Sequence, residues 1–473
     1  MTYLANWISR SNRNTFLLLL AITIIARFIT FFRLTIDYDE TTYAVMADHI
    51  LQGAVLYKDV IDIKQPGIFL IFGLIQLLFG KSVILIRLVA ALAVAGGAYF
   101  LYLTKRRLDF NFKSSILSAV VFVLMFNFYF GFATNTEVFF IFCTCLAIYL
   151  FFSHSRWWTF LLCGVTFGVG FTIKQHIAFD FTALGIFFFG WSIYQRKLKK
   201  NFMPMALMVM GFLIPPSSVH LIYWATGYYD YYHFISYIAP RNYSSQKDWA
   251  RIGIFMCKGV LVYLPFILAA QAGLRSPQWT RQTGWFITLF TILAIVAVVI
   301  TGQTHQHYYL QLVYPISFAV GEIAALQWVK TLFQRKYTLK VVVALGIIYC
   351  LFLTNFYYNR YIVRPNKASD LVDFLEDKIS DDATLYTGDA PQYLYWHFDK
   401  ISPTPYVHST VLTKESNLRT LDIDLDKELN SIYASQPDIV ILSEGYPYGW
   451  FKGKVVKNYQ LMGNVHEFSV YQR

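Results

Sequence analysis

Long apolar runs broken by short polar stretches set the pattern of this chain. A crossing of the bilayer needs about 20 apolar residues. On that measure spans are predicted near 14–33, 82–104, 114–132, 136–153, 157–173, 177–194, 202–225, 252–272, 283–301, 308–328 and 338–357. The stretches between them alternate in charge. Lys105-Arg106-Arg107 with Lys113, Arg156, Arg196-Lys197 with Lys199-Lys200, Arg275 with Arg281, and Lys330 with Arg335-Lys336 fall on every second loop, and Arg10 and Arg13 precede the first run. Basic loops stay in the cytoplasm, which predicts eleven spans, a cytoplasmic N-terminus and an outer C-terminal tail. The apolar stretch 67–80 is short for a span, and counting it as one would put Lys105-Arg106-Arg107 outside. With 40–52 it is read as a pair of helices at the outer interface. The aromatic-rich stretch 228–238 has the same character.

Near Arg364-Pro365 the pattern changes: apolar runs shorten and acids appear. Amphipathic helices are predicted over 370–379 and 424–434, and strands over 383–386, 438–442 and 465–471. About 110 residues suffice for a separate core. The expected fold is thus mainly α: a polytopic membrane helix bundle over 1–362, followed by a small extracytoplasmic α/β domain over 363–473.

Composition supports that class. Of 473 residues, 56% are hydrophobic and 14% charged, against about 25% charged in soluble domains. The first apolar run is long for a signal sequence and no small-residue cleavage site follows it, so it reads as a span. The net charge of +12 reports orientation and contact with anionic lipid; no basic-aromatic module marks a nucleic-acid binder. Five cysteines, Cys143, Cys145, Cys163, Cys257 and Cys350, lack metal-ligand spacing or a disulfide framework and read as small hydrophobes.

With this topology the polar outliers collect on the outer face. Asp37, Asp39 and Glu40 follow the first run, with Asp59, Asp62 and Lys64 in the same loop. Asn135, Thr136 and Glu137 lie in the second outer loop, Lys174, Gln175 and His176 in the third, and His305, His307, Tyr308 and Gln311 in the fifth. Ionisable groups at membrane depth mark working sites. Acids and cations at a lipid boundary suit transfer of a sugar from a polyprenyl phosphate. Lys64, Lys174, His305 and His307 would hold the departing phosphate. Asp39 or Glu40 would take the acceptor's proton, and Glu137 would position the acceptor or share that role.

Each group has a plainer reading. The acids at 37–40 can cap a helix, as those at Asp422, Asp424 and Asp426 are expected to do. Glu137 can be a solvated helix start, and Lys64 and Lys174 can snorkel to lipid phosphate. Arg27 and Arg87, near span ends, read as snorkelling or structural. His305 and His307, two residues apart without a fixed third ligand, are weak metal ligands. Clustered carboxylates are able to hold a divalent ion such as magnesium or manganese, but the sequence requires no cofactor.

In order and spacing, Asp39-Glu40-x-x-Tyr43-Ala44, Leu56-Tyr57-x-Asp59 and Asp62-x-Lys64-x-Pro66-Gly67 resemble the membrane glycosyltransferases of the protein-mannosyltransferase and aminoarabinose-transferase group, which have the GT-C fold. Thr136-Glu137, Lys174-Gln175 and His307-Tyr308-x-Leu310-Gln311-x-x-x-Pro315 resemble its later landmarks, and Pro437-Asp438 with the closing Val470-Tyr471-Gln472-Arg473 is similar to its bacterial members. The resemblance implies a polyprenyl-phosphate sugar donor of undecaprenyl type, an inverting transfer to a hydroxyl on a lipid, glycan or protein, and a site on the outer side of a bacterial inner membrane. It implies Asp39 as general base beside Glu40, with Lys64 on the donor phosphate. Tyr308 joins the phosphate candidates, and Tyr43, Asp62, Gln175 and Gln311 are substrate-binding candidates. The chain departs from the group in having Lys64-Gln65-Pro66 where Lys-Pro-Pro is common, and in its short tail. The rival readings are a transporter or flippase for lipid-linked sugars and a non-catalytic assembly subunit. A transporter needs polar groups at mid-membrane, whereas here they stay at one face.

Overall fold

The computed structural model describes residues 11–128, 131–153, 156–243, 248–334 and 359–473, with 340, 341, 344, 348 and 355 between. The expected span at 338–357 lies, but for those five positions, outside the described residues. Two compact units emerge. The first comprises Met1–Thr30, Arg87–Leu221 and Lys247–Arg360; the second Phe31–Ile86, Ile222–Gln246 and Tyr361–Arg473.

The first unit is a bundle of apolar helices. Among the described residues, six helices are long and apolar enough to cross a membrane: Asn12–Phe32, Val83–Arg107, Ile177–Tyr194, Leu198–Ala225, Trp249–Gly273 and Arg281–Ile300. Phe112–Met125, Thr136–Phe152 and Trp158–Phe171 are shorter apolar helices of this unit. Their starts obey capping chemistry. Ser11 and Asn111 accept from the amides of Asn14 and Ser114, and Thr280 forms a reciprocal box with Thr283. Ile254, Leu261 and Leu268 stand exposed on one helix, as suits a surface facing hydrocarbon. Gly164 and Gly211 let helices Trp158–Phe171 and Leu198–Ala225 touch backbone to backbone. A Cβ on Gly164 would meet the Met208 carbonyl at 2.1 Å, and one on Gly211 the Leu161 carbonyl at 2.3 Å.

The stretch expected as one span over 308–328 is built in three pieces, Gln306–Leu312, Val313–Val320 and Gly321–Ala325. The last break lets Gly321 press on Phe112–Met125, where a Cβ would meet Ser118 Oγ at 2.0 Å. It also brings in Glu322. Lys105, expected as a loop residue, is fully buried and pairs with Glu322 Oε1 at 2.6 Å. Ser118 Oγ and the Phe318 carbonyl, each 2.9 Å from Lys105 Nζ, complete the lysine's shell. Glu322 also accepts from Ser114, from Ser276 Oγ at 2.9 Å and from Gln278 Nε2 at 2.9 Å. The two arginines prove structural. Arg27 donates to the carbonyls of Gly131 and Phe132 at 2.6 Å each, and Arg87 to that of Thr30.

The second unit joins the first loop to the tail. Helices Tyr38–Leu51 and Pro66–Phe79 pack together, the latter starting on a proline and ending at Gly80 in a positive-φ conformation (φ 74°). The tail carries a four-stranded sheet in the order β1 (Leu385–Tyr386), β2 (Ile439–Ser443), β4 (Phe468–Gln472), β3 (Gln460–Val465). β1 and β2 are parallel, pairing Leu385 with Ile439, and β2 and β4 are antiparallel, pairing Ile441 with Val470. Helices Leu425–Ala434 and Gly449–Asn458 supply Leu429, Ile432, Phe451 and Val455 to the core against this sheet. Asp424 caps the former by accepting from the Lys427 amide at 3.1 Å, as expected. Short helices at Tyr393–His397 and Glu415–Leu421, and strand β3, have no counterpart in the sequence pattern.

Polar side chains fasten the tail to the first loop. Gln392 Nε2 donates to the Tyr38 carbonyl and to Thr42 Oγ1, both at 2.8 Å. Gln76, the polar residue of an apolar helix, accepts from Trp396 Nε1 at 2.9 Å and donates to the Ala44 carbonyl at 2.9 Å. The Ile61 amide donates to the Pro405 carbonyl at 2.8 Å. Lys81 bridges Asp48, at 2.7 Å, and Asp399.

Removing one partner of a buried ion pair costs about 3–5 kcal/mol, because the other charge is stranded. Lys105→Met is therefore expected to destabilise the protein by that amount. Lys105→Met with Glu322→Leu should recover part of the loss, the seryl and glutaminyl donors still lacking their acceptor. Thermal melting of the three forms in lipid nanodiscs checks the order; a double variant no more stable than the single one contradicts it.

Candidate active site

The acids that open the second unit's first helix are not spent on capping. Asp37 holds the N-cap position in extended conformation (φ −140°, ψ 145°) and makes no side-chain capping bond. Inside the first turn, Asp39 turns one oxygen to an ammonium and the other to an imidazole. Its Oδ2 lies 3.4 Å from Lys64 Nζ, and its Oδ1 3.4 Å from His408 Nε2. Asp62 sits on the other side of Lys64, 3.7 Å from Nζ, and its Oδ1 also accepts from the Lys64 amide at 3.0 Å. Lys64 is held from behind as well: Tyr57 Oη donates to its carbonyl at 2.7 Å, and its ammonium stands 5.7 Å from the centre of the Tyr43 ring. The Tyr43 ring is fully buried, edge-on to Phe69 and Phe72. Glu40 is buried beside Asp39 in the sequence.

About a fifth of the Lys64 and Asp39 side chains remains accessible, against 5% for Asp62. The lysine and Asp39 thus keep accessible surface, while Asp62 is buried. Tyr243 lies in the field of these groups. Burial raises its hydroxyl above the ordinary value, Lys64 works in the opposite direction, and Asp39 and Asp62 raise it further. Neither Tyr243 nor His408 was legible as a site residue. Each is one polar residue in a stretch without a motif, and only folding brings it near Asp39 and Lys64.

The first unit holds a second cluster. Glu137, in the first turn of helix Thr136–Phe152, pairs with Lys174 and is 1% exposed. Its Oε2 accepts from Thr136 Oγ1 at 3.0 Å, and His307 Nε2 lies 3.8 Å from Oε1. Lys174 Nζ sits over the Tyr308 ring at 4.4 Å. The His305 and His307 rings stack 5.5 Å apart, and His176 packs on Tyr308 at 5.1 Å. Gln175 is half-buried between Lys174 and His176 in the chain. His176 Nε2 is buried with no hydrogen-bond partner among the described residues. Burial, and after it the positive Lys174, hold this imidazole well below its ordinary pKa, so it is neutral at neutral pH.

Gln311 ties this cluster together from below. Its Nε2 donates to the His176 carbonyl at 3.1 Å and to Asp180 Oδ1 at 2.8 Å, and Asp180 Oδ2 accepts from Thr144 Oγ1 at 2.7 Å. One buried carboxylate thereby joins helix Thr136–Phe152, helix Ile177–Tyr194 and the turn that carries His307. Among the described residues, no group of three or more His, Cys, Asp and Glu side chains is disposed to hold a metal ion.

Over residues 64–223 the chain matches the family model described as dolichyl-phosphate-mannose-protein mannosyltransferase. That segment contains Lys64, Glu137 and Lys174, but neither Asp39 nor His307. The structure is similar to ArnT from Cupriavidus metallidurans bound to undecaprenyl phosphate, with 13% identity over 96% of this chain and 97% of that one and a TM-score of 0.67. The apo form of the same protein gives 13% identity, the same coverage and a TM-score of 0.63. The Archaeoglobus fulgidus oligosaccharyltransferase in complex with Zn and sulfate gives 12% identity over 93% of this chain and 69% of that one, with a TM-score of 0.51. At such identities the likeness is one of fold, and the fold is ArnT-like. No curated protein matches by sequence.

Asp180→Leu would leave the Thr144 hydroxyl without its acceptor and the Gln311 amide with only the His176 carbonyl, a loss of about 1–3 kcal/mol for each buried bond removed. Asp180→Asn keeps an acceptor for Gln311. Melting temperatures are expected to rank wild type, then Asn, then Leu; equal values for wild type and Leu would contradict the tie.

Proposed function

We propose that this protein is an integral membrane glycosyltransferase. It moves a monosaccharide from an undecaprenyl-type phosphate to a hydroxyl of a lipid, glycan or protein acceptor. The observation that carries the reading is Asp39, a partly accessible carboxylate held between the Lys64 ammonium and the His408 imidazole. A carboxylate in that position can accept a proton, and the lysine beside it can hold an anion. Support comes from the ArnT-like fold and from the family-model match that begins at Lys64.

In the proposed step, the acceptor oxygen attacks the anomeric carbon and the bond from that carbon to the phosphate oxygen breaks. A single displacement inverts the carbon. The acceptor proton passes to Asp39 as the new bond forms. The polyprenyl phosphate leaves with an added negative charge, which Lys64 stabilises more strongly in the transition state than in the bound donor. Asp62 holds Lys64 through both its backbone amide and its ammonium. His408 fixes the rotation of the Asp39 carboxylate. For Lys174, His305, His307 and Tyr308 we propose donor binding, with Gln311 as their support, and for Glu137 positioning of the acceptor or a share in the base role. We also propose residues 1–362 as the membrane catalytic part and 363–473 as an extracytoplasmic domain, in a bacterial inner membrane.

Asp39→Asn keeps the shape and removes the base. Such a base contributes roughly 100-fold or more, so sugar transfer should fall by at least that much while binding of undecaprenyl phosphate persists. Turnover within tenfold of wild type removes Asp39 from the role. Lys64→Ala is expected to weaken undecaprenyl-phosphate binding at least tenfold, measured on the full chain in nanodiscs. Movement of lipid-linked sugar between leaflets by wild-type protein, without transfer, would favour a transporter instead.

A further inference from the structure

A cavity of about 240 Å³ in the second unit is lined by Tyr57, Ile61, Asp230, Tyr231, Phe234 and Tyr406, among others. We propose that it binds one pyranose ring of the acceptor, which makes the acceptor a glycan or glycolipid headgroup rather than a protein side chain. The proposal rests on the transferase reading and specifies the side of the reaction that reading leaves open.

Size and lining choose the occupant. Sites for drug-sized ligands run to about 300–1,000 Å³, so this smaller cavity suits a single ring. Four of the six named residues are aromatic. Tyr57 is fully buried, whereas Tyr231, Phe234 and Tyr406 keep accessible surface; aromatic faces carry negative potential, which attracts the polarised C–H bonds on the flat side of a sugar. Asp230, in the helical turn Tyr229–His233, is exposed, and its carboxylate has no hydrogen-bond or ion-pair partner among the described residues. A carboxylate accepts hydroxyl hydrogen bonds. With no lysine or arginine in the lining, the cavity is unfit for the donor's phosphate, which Asp230 would repel. A neutral polyol matches every wall.

Position chooses the role. Tyr57 reaches the Lys64 carbonyl through its hydroxyl at 2.7 Å. Ile61 precedes Asp62, the support of Lys64, and its amide is bonded to the Pro405 carbonyl at 2.8 Å. Tyr406 is two residues from His408, which touches Asp39; their Cα atoms are at most about 7 Å apart. Three walls of the cavity are thus continuous with the residues around the proposed base. Tyr57 also holds a left-handed backbone conformation, φ 73°, that a non-glycine residue adopts at a cost. Its amide bond to the Val60 carbonyl at 2.7 Å secures the turn that presents it.

The test uses the full chain in phosphatidylglycerol nanodiscs, free of sugar detergent. Saturation-transfer NMR follows binding of methyl α-glucopyranoside, methyl α-galactopyranoside and methyl α-mannopyranoside. At least one is expected to bind wild type, and Tyr406→Ala and Asp230→Ala to weaken it at least tenfold, with undecaprenyl-phosphate affinity unchanged within twofold. Leu421→Trp, which fills the cavity from another wall, should abolish glycoside binding at an unaltered melting temperature. The proposal is overturned if no glycoside binds, if binding survives all three substitutions within threefold, or if only a Ser/Thr-rich peptide or tetramethylammonium binds there. Failure of the transferase reading shows separately, as wild-type protein that binds no undecaprenyl phosphate or as an active Asp39→Asn variant.

Discussion

A charge withdrawn from water must find its opposite, and the two units of this protein are organised around that demand. Desolvation of a lone lysine or carboxylate costs several kcal/mol, so each buried one fixes the position of its partner. Lys105 with Glu322 gathers a broken helix, three serines and a glutamine into one knot. Lys174 with Glu137 fastens a loop to a helix start. In the second unit, Lys81 joins Asp48 to Asp399, and Lys64 stands between Asp39 and Asp62. The first and third of these pairs hold backbone in place. The Asp39–Lys64 pair is more open than the Lys105–Glu322 and Lys174–Glu137 pairs, with about a fifth of each side chain accessible.

The same demand shows why only part of this architecture was legible in sequence. Apolar runs, basic loops and helix caps are local, and they marked most of the described helices of the first unit, with shifts at their ends, but not the breaks within 308–328. The acids at 37–40 and Lys64 stood out because charge is costly beside a membrane span. Lys105 misled, reading as one more loop cation, because Glu322 lies far along the chain and its helix was taken as unbroken. His408 and Gln392 carried no signal at all. Each is one polar residue in a polar tail, and its meaning is a contact with the first loop. Strand β3 was hidden by Gly463 and by its exposed, weakly alternating side chains.

Gln76 shows how a polar residue inside an apolar run can be read in retrospect. A glutamine on helix Pro66–Phe79 leaves water only if its amide is satisfied. The Ala44 carbonyl and the Trp396 indole satisfy both ends. The stretch 67–80 was thus too short to cross and also committed, through Gln76, to protein on one face. Leu70, Leu74 and Leu77 stay exposed on the other.

Contact between residue 39 and residue 408 has a consequence for biogenesis. A ribosome delivers the first acid hundreds of residues before the imidazole that steadies it, so Asp39 spends most of synthesis without that neighbour. The proposed base is completed only when the segment around His408 has folded back onto the first loop. A nascent or truncated copy would carry its helices and its lysines yet lack the final setting of its carboxylate. Competence is then acquired only after the segment that carries His408 has been made and folded.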